Sequence, residues 1–169
     1  MKHILPILTV TTLAAAASAQ AAAPAAAGLN YNRVGLGYNT DTKGYTLSAT
    51  AVLGASNFWV GATSTIGGAG TSNGDDAVAI GYLFANVYSG IDATVSVASN
   101  EAYALGLRKA LGIYNLEAAA SFGRNASRNN VWSAELGYNV NKQIQLAVGY
   151  TNEQGVAGGT TDLTVRYNF

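Results

Sequence analysis

The fold is decided by the stretch TDLTVRYNF, Thr161–Phe169, in which apolar and polar residues alternate without interruption. In an extended strand, successive side chains point to opposite faces. One face therefore carries Leu163, Val165, Tyr167 and Phe169. The other face carries Asp162, Thr164, Arg166 and Asn168. This pattern predicts a β-strand with one bulky apolar face and one polar face.

The same alternation recurs along the chain after Gly28, between short segments rich in Gly, Asn, Asp and Ser. It predicts ten strands: Leu29–Asn39, Tyr45–Leu53, Phe58–Thr65, Ala77–Phe84, Ser89–Val97, Ala102–Leu111, Tyr114–Gly123, Val131–Val140, Ile144–Tyr150 and Thr161–Phe169. Most approach the ~9–11 residues that a tilted strand needs to cross a bilayer. We therefore predict an all-β, antiparallel up-and-down barrel over residues 29–169, with ten strands favoured and eight as the alternative.

The two faces of these strands differ in side-chain size. The large apolar residues share one face, while the other face is mostly small, as at Gly35, Gly37, Ser48, Gly61, Gly81, Gly106, Gly137 and Gly149. A soluble barrel fills its core with large apolar side chains. Bulk on the outside indicates a transmembrane barrel, in which lipid-facing and lumen-facing residues alternate. A soluble exported barrel that binds an apolar ligand, like a lipocalin, is the rival interpretation, and the side-chain pattern disfavours it.

Aromatic residues fall near the ends of the strands, where Tyr and Trp prefer the membrane–water interface. Threading the strands up and down predicts an outer girdle of Tyr38, Tyr45, Tyr103, Phe122, Trp132 and Tyr150. It predicts a periplasmic girdle of Phe58, Tyr82, Phe84, Tyr88, Tyr114 and Tyr138, with Tyr167 and Phe169 near the same rim. Short connections alternate, with two exceptions, with longer polar ones, as expected for periplasmic turns and outer loops. Ordinary β-propensity of aromatic residues is the alternative explanation.

The N-terminal residues predict export. Lys2 is followed by an apolar run from Ile4 to Ala17 and by the small residues Ala17-Ser18-Ala19, which is typical of a cleaved signal peptide. We predict a signal peptide over residues 1–19, with the cleavage site uncertain within 19–27, and a leader over residues 20–28. The only His is His3, and Cys is absent, so the exported chain has neither thiol nor imidazole chemistry. The net charge of zero gives no basic footprint for nucleic acid.

With these features together, the chain resembles small Gram-negative outer-membrane β-barrels, the porin-like group related to OmpX and the transmembrane domain of OmpA. In that family the closing strand ends in Phe, with an aromatic residue two positions earlier and apolar residues at alternate positions before it. Leu163, Val165, Tyr167 and Phe169 occupy those positions. The resemblance implies an outer-membrane location, contact with lipid and lipopolysaccharide, and recognition of this strand by the barrel-assembly machinery. We expect a monomer without cofactor or metal.

Six charged residues fall on the inward face: Arg33, Asp92, Arg108, Glu117, Glu135 and Arg166. A two-residue turn at Gly112-Ile113 predicts that Arg108 lies opposite Glu117. A three-residue turn at Ser99–Glu101 predicts that Asp92 lies opposite Arg108, and closure of the barrel brings Arg33 and Arg166 onto neighbouring strands. Because an unpaired charge in a narrow lumen is costly, a structural network is the favoured interpretation. The lining of a narrow pore comes second and catalysis third.

Catalysis is disfavoured because acid–base chemistry near neutral pH usually relies on His, which the exported chain lacks. The adjacent Asp75 and Asp76 lack the spaced ligands of a calcium loop and are better explained as a solvated loop. The sequence therefore predicts a non-catalytic outer-membrane barrel with a structural or surface role or a narrow porin-like pore. A surface adhesion protein is the alternative.

Overall fold

The computed structural model describes residues 29–68 and 76–169, which form a closed antiparallel barrel of ten strands. The strands are β1 Arg33–Asn39, β2 Tyr45–Val52, β3 Phe58–Ile66, β4 Ala77–Tyr88, β5 Ile91–Ala98, β6 Tyr103–Ala110, β7 Leu116–Arg124, β8 Asn130–Asn139, β9 Ile144–Glu153 and β10 Thr160–Asn168. Each strand pairs with its neighbours in the chain, and β1 pairs with β10 to close the barrel. The prediction of an up-and-down barrel with ten strands is confirmed.

The signal peptide, the leader and Asp75 lie outside the described residues. Within residues 29–68 and 76–169 there is no helix with the length and apolarity to cross a membrane. One end of the barrel carries both Leu29 and Phe169, and we call it the periplasmic end, following the predicted orientation. The opposite end is called the outer end.

The outer surface of the barrel is apolar along the strands, as the alternation predicts. Leu36, Val95, Leu105, Val148 and Leu163 are all exposed there. The inward positions between them are mostly Gly, Ala, Ser and Thr. Some of these glycines leave room for a neighbour: a Cβ at Gly35 would lie 2.9 Å from the Ser48 hydroxyl and 3.2 Å from the Arg166 side chain. The large side chains therefore lie outside the barrel and the small ones inside.

The predicted first strand is too long at its N-terminal end. Residues 29–32 do not join the sheet, and Leu29, Tyr31 and Asn32 are buried instead. The Asn30 side chain accepts a hydrogen bond from the Asn32 backbone, which turns the chain away from a strand path. Leu29 and Tyr31 then pack against the inward-facing Val52 and Leu83. We call residues 29–32 the inner segment.

Two connections between strands also differ from prediction. The fourth strand was expected to end at Phe84, but β4 continues to Tyr88. Its pairing with β5 shifts register between Phe84 and Tyr88, and Asn86 has a positive φ of 52°. Between β6 and β7, Tyr114 and Asn115 have φ values of 49° and 55° and form the tip of the turn. The predicted seventh strand began at Tyr114, two residues too early, because this turn type needs positive φ at both central positions. A Tyr at such a position is uncommon and gives no turn signal.

Aromatic residues cluster at both ends of the barrel. Near the outer end the rings of Tyr38 and Tyr45 lie 5.2 Å apart, and those of Trp132 and Tyr150 lie 5.5 Å apart. Near the periplasmic end Phe58, Tyr82 and Phe84 form a continuous series, with centroid separations of 5.1 and 4.8 Å. Exposed aromatic residues complete the two sets: Tyr103 and Phe122 at the outer end, and Tyr88, Tyr114, Tyr138 and Tyr167 at the periplasmic end. Tyr114 belongs to a turn and not to a strand, and membrane anchoring by these residues stays a prediction.

Candidate functional site in the barrel lumen

A layer of charged side chains crosses the lumen near the periplasmic end. Arg108 on β6 donates to Glu117 on β7, with Nε–Oε1 at 2.8 Å and Nη2–Oε1 at 2.5 Å. Arg166 on β10 donates to both oxygens of Glu135 on β8 through Nη1 and Nη2, each at 2.5 Å. Both pairs are largely shielded from solvent, so each carboxylate holds its arginine in a fixed orientation.

The predicted partner of Arg108 is right, but the predicted register is wrong. Arg108 lies opposite Ala119, and Glu117 lies opposite Ala110. The turn at Tyr114-Asn115 shifts β7 by two residues relative to β6. Glu117 therefore stays on the inward face but lies two residues nearer the periplasmic end than predicted. Arginine is long enough to reach it diagonally. On the other side of β6, Asp92 lies opposite Arg108 as predicted.

Gln145 on β9 joins the two ion pairs into one network. Its amide nitrogen donates to Glu117 Oε2 at 3.1 Å and to Asn139 Oδ1 at 2.9 Å, and its amide oxygen accepts from Arg166 Nη1 at 2.9 Å. The side chain is almost fully buried. A Cβ at Gly137 on the neighbouring strand would lie 3.0 Å from this amide, so the glycine leaves room for it. The network therefore extends over β6, β7, β8, β9 and β10.

Tyr31 of the inner segment closes the other side of the layer. Its hydroxyl donates to Asp92 Oδ2 at 3.0 Å, and its ring lies 4.3 Å from the Arg108 guanidinium carbon, a cation–π contact. Arg108 Nη1 also donates to the backbone oxygen of Asn30 at 3.1 Å. Burial raises the pKa of the Tyr31 phenol, against the opposing charge of Arg108, so the hydroxyl stays a donor at alkaline pH. The inner segment is thus anchored to the charged layer.

Arg33 differs from the other two arginines. Among the described residues its side chain has no hydrogen-bond or ion-pair partner, and its Nη1 atom is buried. It lies on β1 beside β10, as predicted from barrel closure, but Arg166 lies opposite Gly35 and not opposite Arg33. Arg33 thus lines the lumen with other charged residues of the predicted set, but among the described residues its side chain makes no bond to them.

Cavities lie on both sides of the charged layer. Toward the outer end there is an outer cavity of about 410 Å³, lined by Thr50, Trp59, Gly61, Ala104 and Ser121 among others. A side cavity of about 230 Å³ is lined by Thr46, Thr151, Asp162 and Thr164 together with Glu135 and Arg166. On the periplasmic side, a cavity of about 440 Å³ is lined by polar residues, including Asn30, Asn115, Glu117, Asn139 and Lys142.

A fourth cavity, of about 180 Å³, lies against the layer itself, and we call it the arginine cavity. Its charged lining is Arg33, Arg108, Arg166 and Glu135, with hydroxyls from Thr94, Ser121 and Ser133. Arg108 lines this cavity while its partner Glu117 lines the periplasmic one. The Arg108–Glu117 pair therefore stands between the two halves of the lumen.

Sequence reasoning missed three lumen residues. Tyr31 falls within the predicted first strand, and neither Gln145 nor Trp59 is among the predicted site residues. A signal for Trp59 exists: it lies opposite Gly81, and a Cβ at Gly81 would collide with its ring. Tyr31 and Gln145 carry no such local signal, because their partners lie far away in the chain. No three His, Cys, Asp or Glu side chains converge as a metal site requires within the part of the chain that the structure describes.

Comparison with solved structures adds the fold type. The KdgM porin in complex with disordered oligogalacturonate is 11% identical, with 81% of this chain and 99% of that chain covered and a TM-score of 0.55. The chain has the fold of outer-membrane porins. A second KdgM porin structure, 13% identical with the same coverage, has a TM-score of 0.52. The NanC porin, 13% identical over 81% of this chain and 98% of its own, has a TM-score of only 0.43. No family model and no curated protein matches the sequence.

Proposed function

We propose that this protein is a narrow porin-like channel of the Gram-negative outer membrane, which passes small hydrophilic solutes without catalysis. One observation carries the proposal. Down to a layer of ionised residues, the lumen is lined mostly by small and hydroxyl side chains, with Trp59 as a bulky exception, whereas the exterior carries large exposed apolar residues. In a ten-stranded barrel this leaves space that an eight-stranded barrel fills with side chains. Ionised residues in such a lumen select among solutes by charge.

The same observation speaks against the soluble ligand-binding barrel. A soluble ligand-binding barrel needs a polar exterior and a core of large apolar residues. In this barrel Leu36, Leu105 and Val148 are exposed on the outside. The likeness to the KdgM porins concerns the fold, since the identities are 11% and 13%. The solute class is therefore argued from this chain's own lumen.

Single-channel recording in a planar bilayer tests the channel. The refolded protein, checked by its heat-modifiable mobility, is expected to give discrete conductance steps. Ala104→Trp places bulk in the outer cavity and is expected to reduce the step size several-fold, because Ala104 lines that cavity. Ala93→Trp is the matched control: Ala93 lies on β5 opposite Leu107 and shares its outward face, so its steps should equal those of the wild type.

A protein that folds but stays electrically silent would overturn the channel and leave a closed structural barrel. Steps that respond equally to Ala104→Trp and Ala93→Trp would show that current does not follow the lumen.

A further inference from the structure

The two faces of the charged layer carry different charge. The net charge of the six ionised residues is zero, because three arginines balance three carboxylates. Their distribution is uneven, because Glu117 lines the periplasmic cavity and Asp92 is fully buried under Tyr31. The arginine cavity on the other face is lined by three guanidinium groups and by the single carboxylate of Glu135. That face of the layer therefore has an excess of two positive charges.

The Arg33 side chain has unused hydrogen-bonding capacity in this cavity. Glu117 and Gln145 occupy donors of Arg108 and Arg166, and Glu135 takes both terminal nitrogens of Arg166. Arg33 has no such partner among the described residues, and its buried Nη1 is unsatisfied. Arg108 and Arg166 line the same cavity, so their guanidinium groups repel that of Arg33. An anion beside Arg33 would relieve both the repulsion and the missing hydrogen bonds.

We propose that the arginine cavity is a binding subsite for a small oxyanion group, a carboxylate, sulfate or phosphate, held by Arg33 and reached from the outer end. The planar guanidinium binds two oxygens of such a group at once, and the hydroxyls of Thr94, Ser121 and Ser133 line the same cavity. The volume of about 180 Å³ admits a small acid or the acidic group of a larger solute. The proposal rests on the proposed channel for its biological role, since it names the charge of the solute, but the subsite itself needs no current.

Sulfate binding to the full barrel in a nonionic detergent tests the subsite. Arginine side-chain N–H signals are followed by NMR while sodium sulfate is added at constant ionic strength, and the Arg33 signal is identified by its absence in Arg33→Gln. We expect saturable shifts of Arg33 in the wild type. In Arg33→Gln, the shifts of Arg108 and Arg166 are expected to saturate at sulfate concentrations at least ten-fold higher. Arg33→Lys, which keeps the charge but loses the planar pair of donors, is expected to bind with intermediate affinity and provides a second variant if Arg33→Gln does not fold.

Arg128→Gln is the matched control, because it removes the same charge from an exposed outer loop where Arg128 contacts Glu101 at 3.5 Å. Its sulfate affinity should equal that of the wild type. The absence of saturable shifts in the wild type, or equal affinity in Arg33→Gln, would overturn the subsite. Failure of the channel is a separate result: a barrel that binds sulfate but gives no conductance steps would remove the channel and keep the subsite.

Discussion

At the scale of single residues, the charged layer contains arginines in two different situations, paired and unpaired, which composition does not distinguish. Arg166 is held by Glu135 and Gln145, whereas Arg33, on the adjacent strand, has a buried nitrogen without a partner among the described residues. Removing one member of a shielded pair leaves the other charge uncompensated, at a cost of about 3–5 kcal/mol when burial is complete. Removing a cation that lacks a partner has no such cost.

Arg33→Gln is therefore expected to leave the free energy of unfolding unchanged or to raise it. Arg166→Gln is expected to lower it by roughly 2–4 kcal/mol, less than the full penalty because Glu135 keeps some contact with solvent. Urea unfolding of the barrel in lipid vesicles, followed by tryptophan fluorescence, measures both. A loss on Arg33→Gln as large as that on Arg166→Gln would mean that Arg33 is an integral part of a structural network.

At the scale of elements, the inner segment lies in the periplasmic part of the lumen and narrows it. Tyr31 holds it through Asp92 and Arg108, and the Thr50 hydroxyl and the Phe169 backbone bind its backbone oxygens. Its contacts with the layer are made by one aromatic side chain and a few hydrogen bonds.

Tyr31→Ala is expected to increase the single-channel conductance, because it removes the ring stacked on Arg108 and the hydroxyl bound to Asp92. The exposed Tyr167→Ala removes the same atoms from the outer surface of β10 and should leave the conductance unchanged. Equal conductance in the wild type and in Tyr31→Ala would show that the inner segment does not limit the current.

The turn between β6 and β7 supports a second test at this scale. Tyr114 adopts a positive φ that costs a non-glycine residue about 1–2 kcal/mol, and its side chain is 82% exposed. Asparagine tolerates this conformation, so Tyr114→Asn is expected to raise the free energy of unfolding by about 1 kcal/mol. Tyr138→Asn, on a strand with ordinary geometry, should instead lower it. A loss of stability on Tyr114→Asn would show that membrane anchoring by Tyr114 exceeds the strain of the turn.

At the scale of the whole molecule, closure depends on β10, which pairs with both β9 and β1. Its Leu163, Val165 and Tyr167 side chains are exposed on the outer surface, and the Phe169 backbone N–H donates to Asn32. We expect Phe169→Ser to lower the amount of folded barrel in the outer membrane of cells, because it alters the proposed assembly signal. The purified variant should still refold in detergent, because its backbone pairing is intact.

Phe122→Ser is the control, since it removes an exposed aromatic residue from β7 and leaves the closing strand unchanged. Membrane fractions analysed by heat-modifiable mobility report the folded amount. Equal amounts of the two variants would argue against a special role of the last strand in assembly.

The barrel and the two faces of its strands follow from local sequence patterns alone. A strand has a side-chain period of two, so alternation within a single strand predicts which side chains face outward. Gly35, Leu36 and Gly37 show this, with the large residue outside and the small ones inside. In an up-and-down barrel each strand pairs with its neighbours in the chain, so strand count and topology also follow from local signals. Asp92 opposite Arg108 was predictable because a short turn fixes the register of that pair.

The contacts inside the lumen depend instead on how distant strands are arranged in space. The turn at Tyr114 shifts Glu117 by two residues relative to Arg108. Gln145 forms hydrogen bonds with Glu117 and Arg166, which lie on two other strands. Tyr31 donates a hydrogen bond to Asp92, 61 residues away in the chain. Among the described residues the Arg33 side chain has no partner, because Glu117 binds Arg108 and Glu135 binds Arg166. Such contacts depend on the registers of many strands at once and on the lengths of side chains that meet across the lumen, and alternation within one strand encodes neither.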